Sequence, residues 1–199
     1  MNHSLERYNK VTIILHLVVA LFIFAMFGLG WYMSDLPKDL PKVPSVDLFD
    51  LGFYTLQFSE PMTPRSFYFN LHKSLGITVF ALVLFRMFWR LTHPAPEFLS
   101  SMQAWEKKLA EVTHKGLYLM MLLVPLAGLV MGAFSKYGIV WFGVRLMQGI
   151  DNEGLRNVFK EAHEVAGVVL LALIVLHVVA AIKHKVIDKD NVMQRMSLR

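Results

Sequence analysis

Residues 161–185 read EAHEVAGVVLLALIVLHVVAAIKHK, an apolar run interrupted by two histidines. At about 1.5 Å per residue the run is long enough to cross a ~30 Å hydrocarbon core. His163 and His177 lie 14 residues apart. A helix turns about 100° per residue, so the two differ by only about 40° in direction and stand roughly 21 Å apart along the axis. One therefore sits near each membrane face, and both look the same way. An imidazole in lipid is costly unless paired or liganded, and such a group faces a bundle interior. Two on one stripe, at two depths, predict two stacked metal sites inside a helix bundle.

Three further apolar runs surround this one. They span roughly 11–33, 66–89 and 116–134, and the run just described covers about 163–182 as a span. Each is near the ~20 residues a spanning helix needs. The composition agrees: 55% of the 199 residues are hydrophobic and only 18% are charged, where a soluble domain carries about 25% charged residues. The expected fold is an all-α, integral membrane four-helix bundle, with residues 1–199 forming one domain. The net charge of +5 then reflects loop asymmetry and anionic lipid rather than nucleic acid. There is no cysteine. That excludes disulfides, thiolate metal sites, iron–sulfur clusters and covalent haem attachment through C-x-x-C-H. The first run is too long for a signal-peptide core and reads as a retained helix.

Loop charge sets the orientation. With the N-terminus inside, the inner segments hold twelve Lys and Arg and the outer loops hold seven. The positive-inside rule then puts both termini in the cytoplasm, with the chain in the inner membrane of a bacterium. His16 opens the first run at the inner face, and His177 closes the fourth at similar depth. His72 opens the second run at the outer face, level with His163. The expected pairs are His16 with His177 and His72 with His163.

Each of these four has a small residue at i+4: Ala20, Gly76, Gly167 and Ala181. Residues i and i+4 share a helix face. A flat macrocycle held by a histidine lies against that face and needs little bulk there. His114 has Tyr118 at i+4 and His184 has Asp188, so neither reads as a ligand. A bare zinc site would want three or four protein ligands, and each level offers two histidines without an inward acidic partner. Two axial imidazoles and a macrocycle complete six-coordinate iron. Unliganded, hydrogen-bonded helix histidines remain the alternative.

Charged residues near the two levels are candidates for propionate contacts: Arg86 and Arg90 at the inner one, Lys73 at the outer one. The arginines serve equally well as positive-inside anchors. His184, seven residues after His177 and on the same face, is a candidate donor to a propionate or a quinone. His93 and His3 read as bystanders, and Trp141 and Phe142 as interfacial aromatics. Residues 34–65 hold five of the eight prolines and a net acidic set of side chains. They read as a solvated connector or a cap over a site. Ser100 or Ser101 is expected to cap a short surface helix before the third run, and Pro125 to kink that run. Leu155, Val158, Phe159 and Ala162 at helical spacing predict that the fourth helix begins early.

Four stretches, ERYNKVTIILH (6–16), FNLHKSLGITVFALVLFRMFWR (69–90), HKGLYLMMLLVPLAG (114–128) and HEVAGVVLLALIVLHVVAAIKHKVIDKDNVMQRM (163–196), resemble the bacterial cytochrome b561 family. The resemblance covers nearly the whole chain except the two outer loops, and 34–65 looks longer than is usual there. It implies two non-covalent b-type haems on the same four histidines. It also implies electron transfer between a periplasmic donor and the membrane quinone pool. Some members are similar to superoxide oxidases; others resemble cytochrome b subunits that serve a periplasmic dehydrogenase or hydrogenase as partner. Members often have Trp after the first histidine, where this chain has Leu17. From a different class, a non-redox bundle for transport or assembly also fits four helices with buried histidines.

Overall fold

The computed structural model describes residues 7–198; His3 and Arg199 lie outside them. Each of the four apolar runs folds as one long helix: α1 (Lys10–Asp35), α2 (Pro64–Thr92), α3 (Ala104–Ala133) and α4 (Glu153–Lys183). All four are long and apolar enough to cross a membrane. Their starts are fixed locally. Asn9 accepts from Val11 N, Thr63 from Ser66 N ahead of Pro64, and Asn152 from Leu155 N. Each cap satisfies a backbone donor that the first turn would otherwise leave unpaired.

Successive spans alternate in direction. The bundle therefore has a hairpin end, where α1 passes to α2 and α3 to α4, and a terminal end that gathers both chain termini. Between the ends lies a core of Val19, Ile23, Val79, Val83, Met121 and Leu170, contributed by all four helices. Few other side chains are buried. Leu21, Phe88 and Val168 on the helix exteriors are each more than 60% exposed. In water such a surface would drive aggregation; against acyl chains it is the ordinary outside of a spanning helix.

The hairpin end carries the only strands among the described residues. β1 (Val43–Asp47) pairs antiparallel with β2 (Thr55–Met62), and β3 (Ile139–Trp141) with β4 (Val144–Met147). The fold is thus mostly helical with two small hairpins. Residues 34–65 are no loose connector. Val46, Leu48, Leu56 and Phe58 pack on Leu29, Tyr32, Tyr68 and Leu71 of α1 and α2. The Tyr68 hydroxyl accepts from Phe49 N at 2.7 Å, and the Tyr32 hydroxyl donates to Asp50 at 3.1 Å. Arg65 donates to the carbonyl oxygens of Met33, Ser34 and Leu36, which are left unpaired at the end of α1.

The short surface helix expected after Ser100 is instead the first part of α3, which starts at Ala104 and runs unbroken through Pro125. Its cap is Gln103, which forms a reciprocal box with Glu106, rather than either serine. An amphipathic turn and a spanning run joined by Thr113–Gly116 have no breaker between them, so one helix absorbs both. The fourth helix does begin early, ten residues before His163.

Candidate functional site

The four histidines meet in two pairs. The rings of His16 and His177 have centroids 6.1 Å apart, and those of His72 and His163 are 6.3 Å apart. A metal held between two imidazoles at about 2.0–2.1 Å, the figure for zinc–histidine bonds, would separate ring centres by roughly 6.3 Å. The spacing fits one ion-centred group at each level.

At the hairpin-end level, His163 Nδ1 stands 2.8 Å from the carbonyl oxygen of Val124. A carbonyl only accepts, so Nδ1 carries the proton and Nε2 keeps its lone pair. That is the tautomer and second contact that metal-bound histidines show. His72 Nδ1 is buried with no hydrogen-bond partner. Two glycines on neighbouring helices make room for these rings. A Cβ on Gly30 would lie 3.5 Å from His72 Cε1, and one on Gly128 would lie 3.1 Å from His163 Nδ1. Sequence reasoning missed both, because it searched only the histidines' own helices. A Cβ on Gly167 would meet nothing within 4 Å, as a vacant face for a macrocycle requires. The corresponding space at Gly76 is bounded by Met26 Cε at 3.5 Å, a flexible side chain that can turn aside. Lys73 sits over the Tyr137 ring at 5.8 Å.

At the terminal-end level, Arg86 donates from Nη2 to His16 Nδ1 at 3.0 Å and lies over the Tyr118 ring at 5.4 Å. Guanidinium only donates. In this arrangement His16 Nδ1 is the acceptor, and ligation through Nε2 would require Arg86 to release it. Arg90 lies over Tyr8, and its Nη1 is buried without a hydrogen-bond partner. An orphaned guanidinium nitrogen at this depth suits an anionic group such as a propionate. Ala20 and Ala181 are partly buried.

His114 was discounted because Tyr118 follows it by one turn, yet its ring centroid is 5.3 Å from that of His177. Tyr118 is turned toward Arg86 instead. The shorter separation is less suited to two axial ligands than the 6.1 Å of His16 and His177. His184 is buried, with Nδ1 2.7 Å from Asp190 and 3.1 Å from Asp188. His93 stacks on Trp89 at the end of α2.

The sequence profile of the prokaryotic cytochrome b561 family matches residues 7–197. The chain belongs to that family. Cytochrome b561 homolog 2 of Escherichia coli (strain K12) is 28% identical to it over 197 residues, covering 96% of this chain and 91% of the relative. Cytochrome b561 homolog 1 of the same strain is 26% identical over 200 aligned residues, covering 98% and 99%. A probable superoxide oxidase, CybB of Yersinia pestis, is 27% identical over 127 residues, 63% of this chain and 72% of that one. Membership in the cytochrome b561 family makes this a bacterial multi-pass membrane cytochrome b. Haem b is its cofactor and electron transfer its role. The non-redox reading of the bundle is set aside. The residues at the hairpin-end level fit such a group, with paired imidazoles, an orphaned His72 nitrogen and an open face at Gly167. At the terminal-end level the imidazole separation fits, and Arg86 would have to leave His16.

Proposed function

We propose that the chain passes electrons between a periplasmic donor at the hairpin end and a membrane quinone at the terminal end, through two non-covalent haems. His72 with His163 would hold one, and His16 with His177 the other. Each haem, when bound, supplies a one-electron iron couple. The observation that carries this reading is His163: its Nδ1–H is held by the Val124 carbonyl, and its ring centroid lies 6.3 Å from that of His72. Arg86 and Arg90 would take the propionates at the terminal end, and Lys73 those at the hairpin end. The Lys and Arg count supports the terminal end being cytoplasmic and the membrane being the inner one. The probable superoxide oxidase among the relatives supports superoxide as donor. Lys73, Lys136, Arg156 and Lys160 at the hairpin end would steer an anion, against the net acidic residues 34–65 at the same end.

Pyridine haemochrome of the fully loaded protein should give about two b-type haems per chain, extractable with acid acetone because no thioether can form without cysteine. A single haem in saturated protein would reject the pairing.

His184 is proposed to bind the quinone head group. Asp190 fixes the ring through Nδ1, which leaves Nε2 for a ligand. Loss of one such hydrogen bond, about 0.5–1.5 kcal/mol, should raise the quinone KM of His184→Leu roughly two- to twelvefold, with both haem spectra retained. Unchanged quinone kinetics would remove the residue from the site and turn attention to the surroundings of Lys73.

A further inference from the structure

The second hairpin does not stand off the bundle. It folds back along α2. Phe142 N donates to Ser74 Oγ at 2.9 Å, and Trp141 Nε1 donates to Thr78 Oγ1 at 3.2 Å. Ser74 and Thr78 are one helical turn apart on the same face of α2. Both are polar residues of α2, which also holds Asn70, His72 and Lys73 just before them, and both also donate to backbone carbonyls of their own helix. Ile139 covers Gly132 of α3. One side of the hairpin is therefore committed to α2 and α3.

The depth of the tip follows from these bonds. Ser74 is ten residues along α2 from Pro64, or roughly 15 Å. α2 is 29 residues long, about 43 Å against a ~30 Å hydrocarbon core. Sharing the overhang equally puts the turn backbone roughly 8 Å below the hydrocarbon boundary, within the range where interfacial helices bury their apolar faces.

The other side of the hairpin has no partner among the described residues. Phe142, Val144, Leu146 and Ile150 are each 54–58% exposed. From Tyr137 to Met147 the only charged side chain is Arg145. A hairpin with one face in water alternates apolar with polar residues; this one is apolar on both faces. Its turn repeats the point. Phe142 and Gly143 both have positive φ, 45° and 87°, as a two-residue hairpin turn of the primed type requires. In water that first position goes to Asn, Asp or Gly. A bulky residue there is strained, and its retention needs a gain that an aqueous surface does not offer to an exposed phenyl ring.

We infer that residues 137–150 form a re-entrant hairpin whose free face lies in the acyl chains of the leaflet at the hairpin end, continuous with the lipid-facing surface of α2. The strands rise from the turn toward the boundary, where water and headgroups satisfy the edges of their outer residues. Arg145 pairs with Val140, one register position back from the turn, and its long stem lets the guanidinium rise to lipid phosphates.

The absence of native cysteine makes the test direct. Single variants Phe142→Cys and Leu146→Cys are spin-labelled in the full-length, haem-loaded protein in phosphatidylethanolamine–phosphatidylglycerol bilayers. Collision with oxygen and with a water-soluble nickel chelate is measured by power saturation. Leu84→Cys, on the exposed face of α2, serves as the lipid control, and Lys38→Cys as the aqueous one. The expected oxygen-to-nickel ratio at 142 and 146 matches the Leu84 label and exceeds the Lys38 label several-fold. A ratio equal to the Lys38 label places the hairpin in water and overturns the inference. Low collision with both reagents means that a second copy or another protein covers the face, and overturns it equally. Should the label at the strained turn prevent folding, Leu146→Cys on β4 carries the same decision alone.

Discussion

His163→Ala is expected to yield a folded protein with about one haem per chain in place of two, lacking the hairpin-end spectrum and keeping the other. His177→Ala should give the converse. Each substitution removes one imidazole of a pair and leaves its partner, and the two pairs share no side chain. The apolar core of Val19, Ile23, Val79, Val83, Met121 and Leu170 separates the levels, so neither loss should propagate by repacking. Potentiometric titration reads the result: two one-electron steps in the parent protein, one in each variant. If each alanine variant abolished both steps, the pairs would not be independent sites. If His163→Ala kept both, the pairing with His72 would be wrong. An impermeant donor offers a second reading. If electrons enter at the hairpin end, it should reduce the terminal-end haem slowly in His163→Ala, while that haem still exchanges with quinone.

Gly167→Leu is expected to produce the same loss without removing a ligand. A Cβ at that position meets nothing within 4 Å, so the haem-free chain has room for the new side chain. Helix propensity even improves, by roughly 0.8–1.0 kcal/mol or somewhat less. In the loaded protein the proposed porphyrin occupies that room. Overpacking of about 1–3 kcal/mol corresponds to roughly 5- to 150-fold weaker haem binding. The measurement is haem stoichiometry beside circular dichroism of the haem-free protein: the first should fall while helicity holds. Full haem occupancy with unaltered potentials would mean that no macrocycle lies against that face, even with the histidine pairs intact. Gly128→Ala probes the same level differently. Its new methyl carbon would stand 3.1 Å from His163 Nδ1, so the ring that Val124 holds would have to shift by a few tenths of an ångström.

The four spans were legible because each is a run of about twenty apolar residues, and lipid permits few other structures for such a run. The histidine pairs were legible for a related reason. Fourteen residues on one helix fix both direction and depth, and the alternation of spans then assigns the partners. What the sequence concealed depends on contacts between helices or on backbone geometry. Gly30 and Gly128 act on histidines of other helices, so no i+4 rule reaches them. Tyr118 seemed to block His114, but a side chain one turn away can rotate toward a distant cation, here Arg86. The first hairpin was hidden by its prolines, which argue against helix and say nothing against an edge strand. It is held in part by Tyr32 and Tyr68, whose contacts join residues far apart in the chain. The second hairpin lacked any Asn-Gly or Asp-Gly turn signal, since Phe142 occupies the position where such a signal would stand.

α4 contributes a histidine to both levels, whereas α1 and α2 each serve one. The separation between the two levels is therefore written into a single covalent rod. Loosened side-chain packing, a changed lipid thickness or a tilted neighbour alters the fit at either end, but the spacing between the ends follows only the pitch of one helix. Tunnelling rates depend far more steeply on distance than on orientation. With the two proposed haems at these levels, a bundle built this way would tolerate a good deal of breathing in its walls without detuning the gap between them.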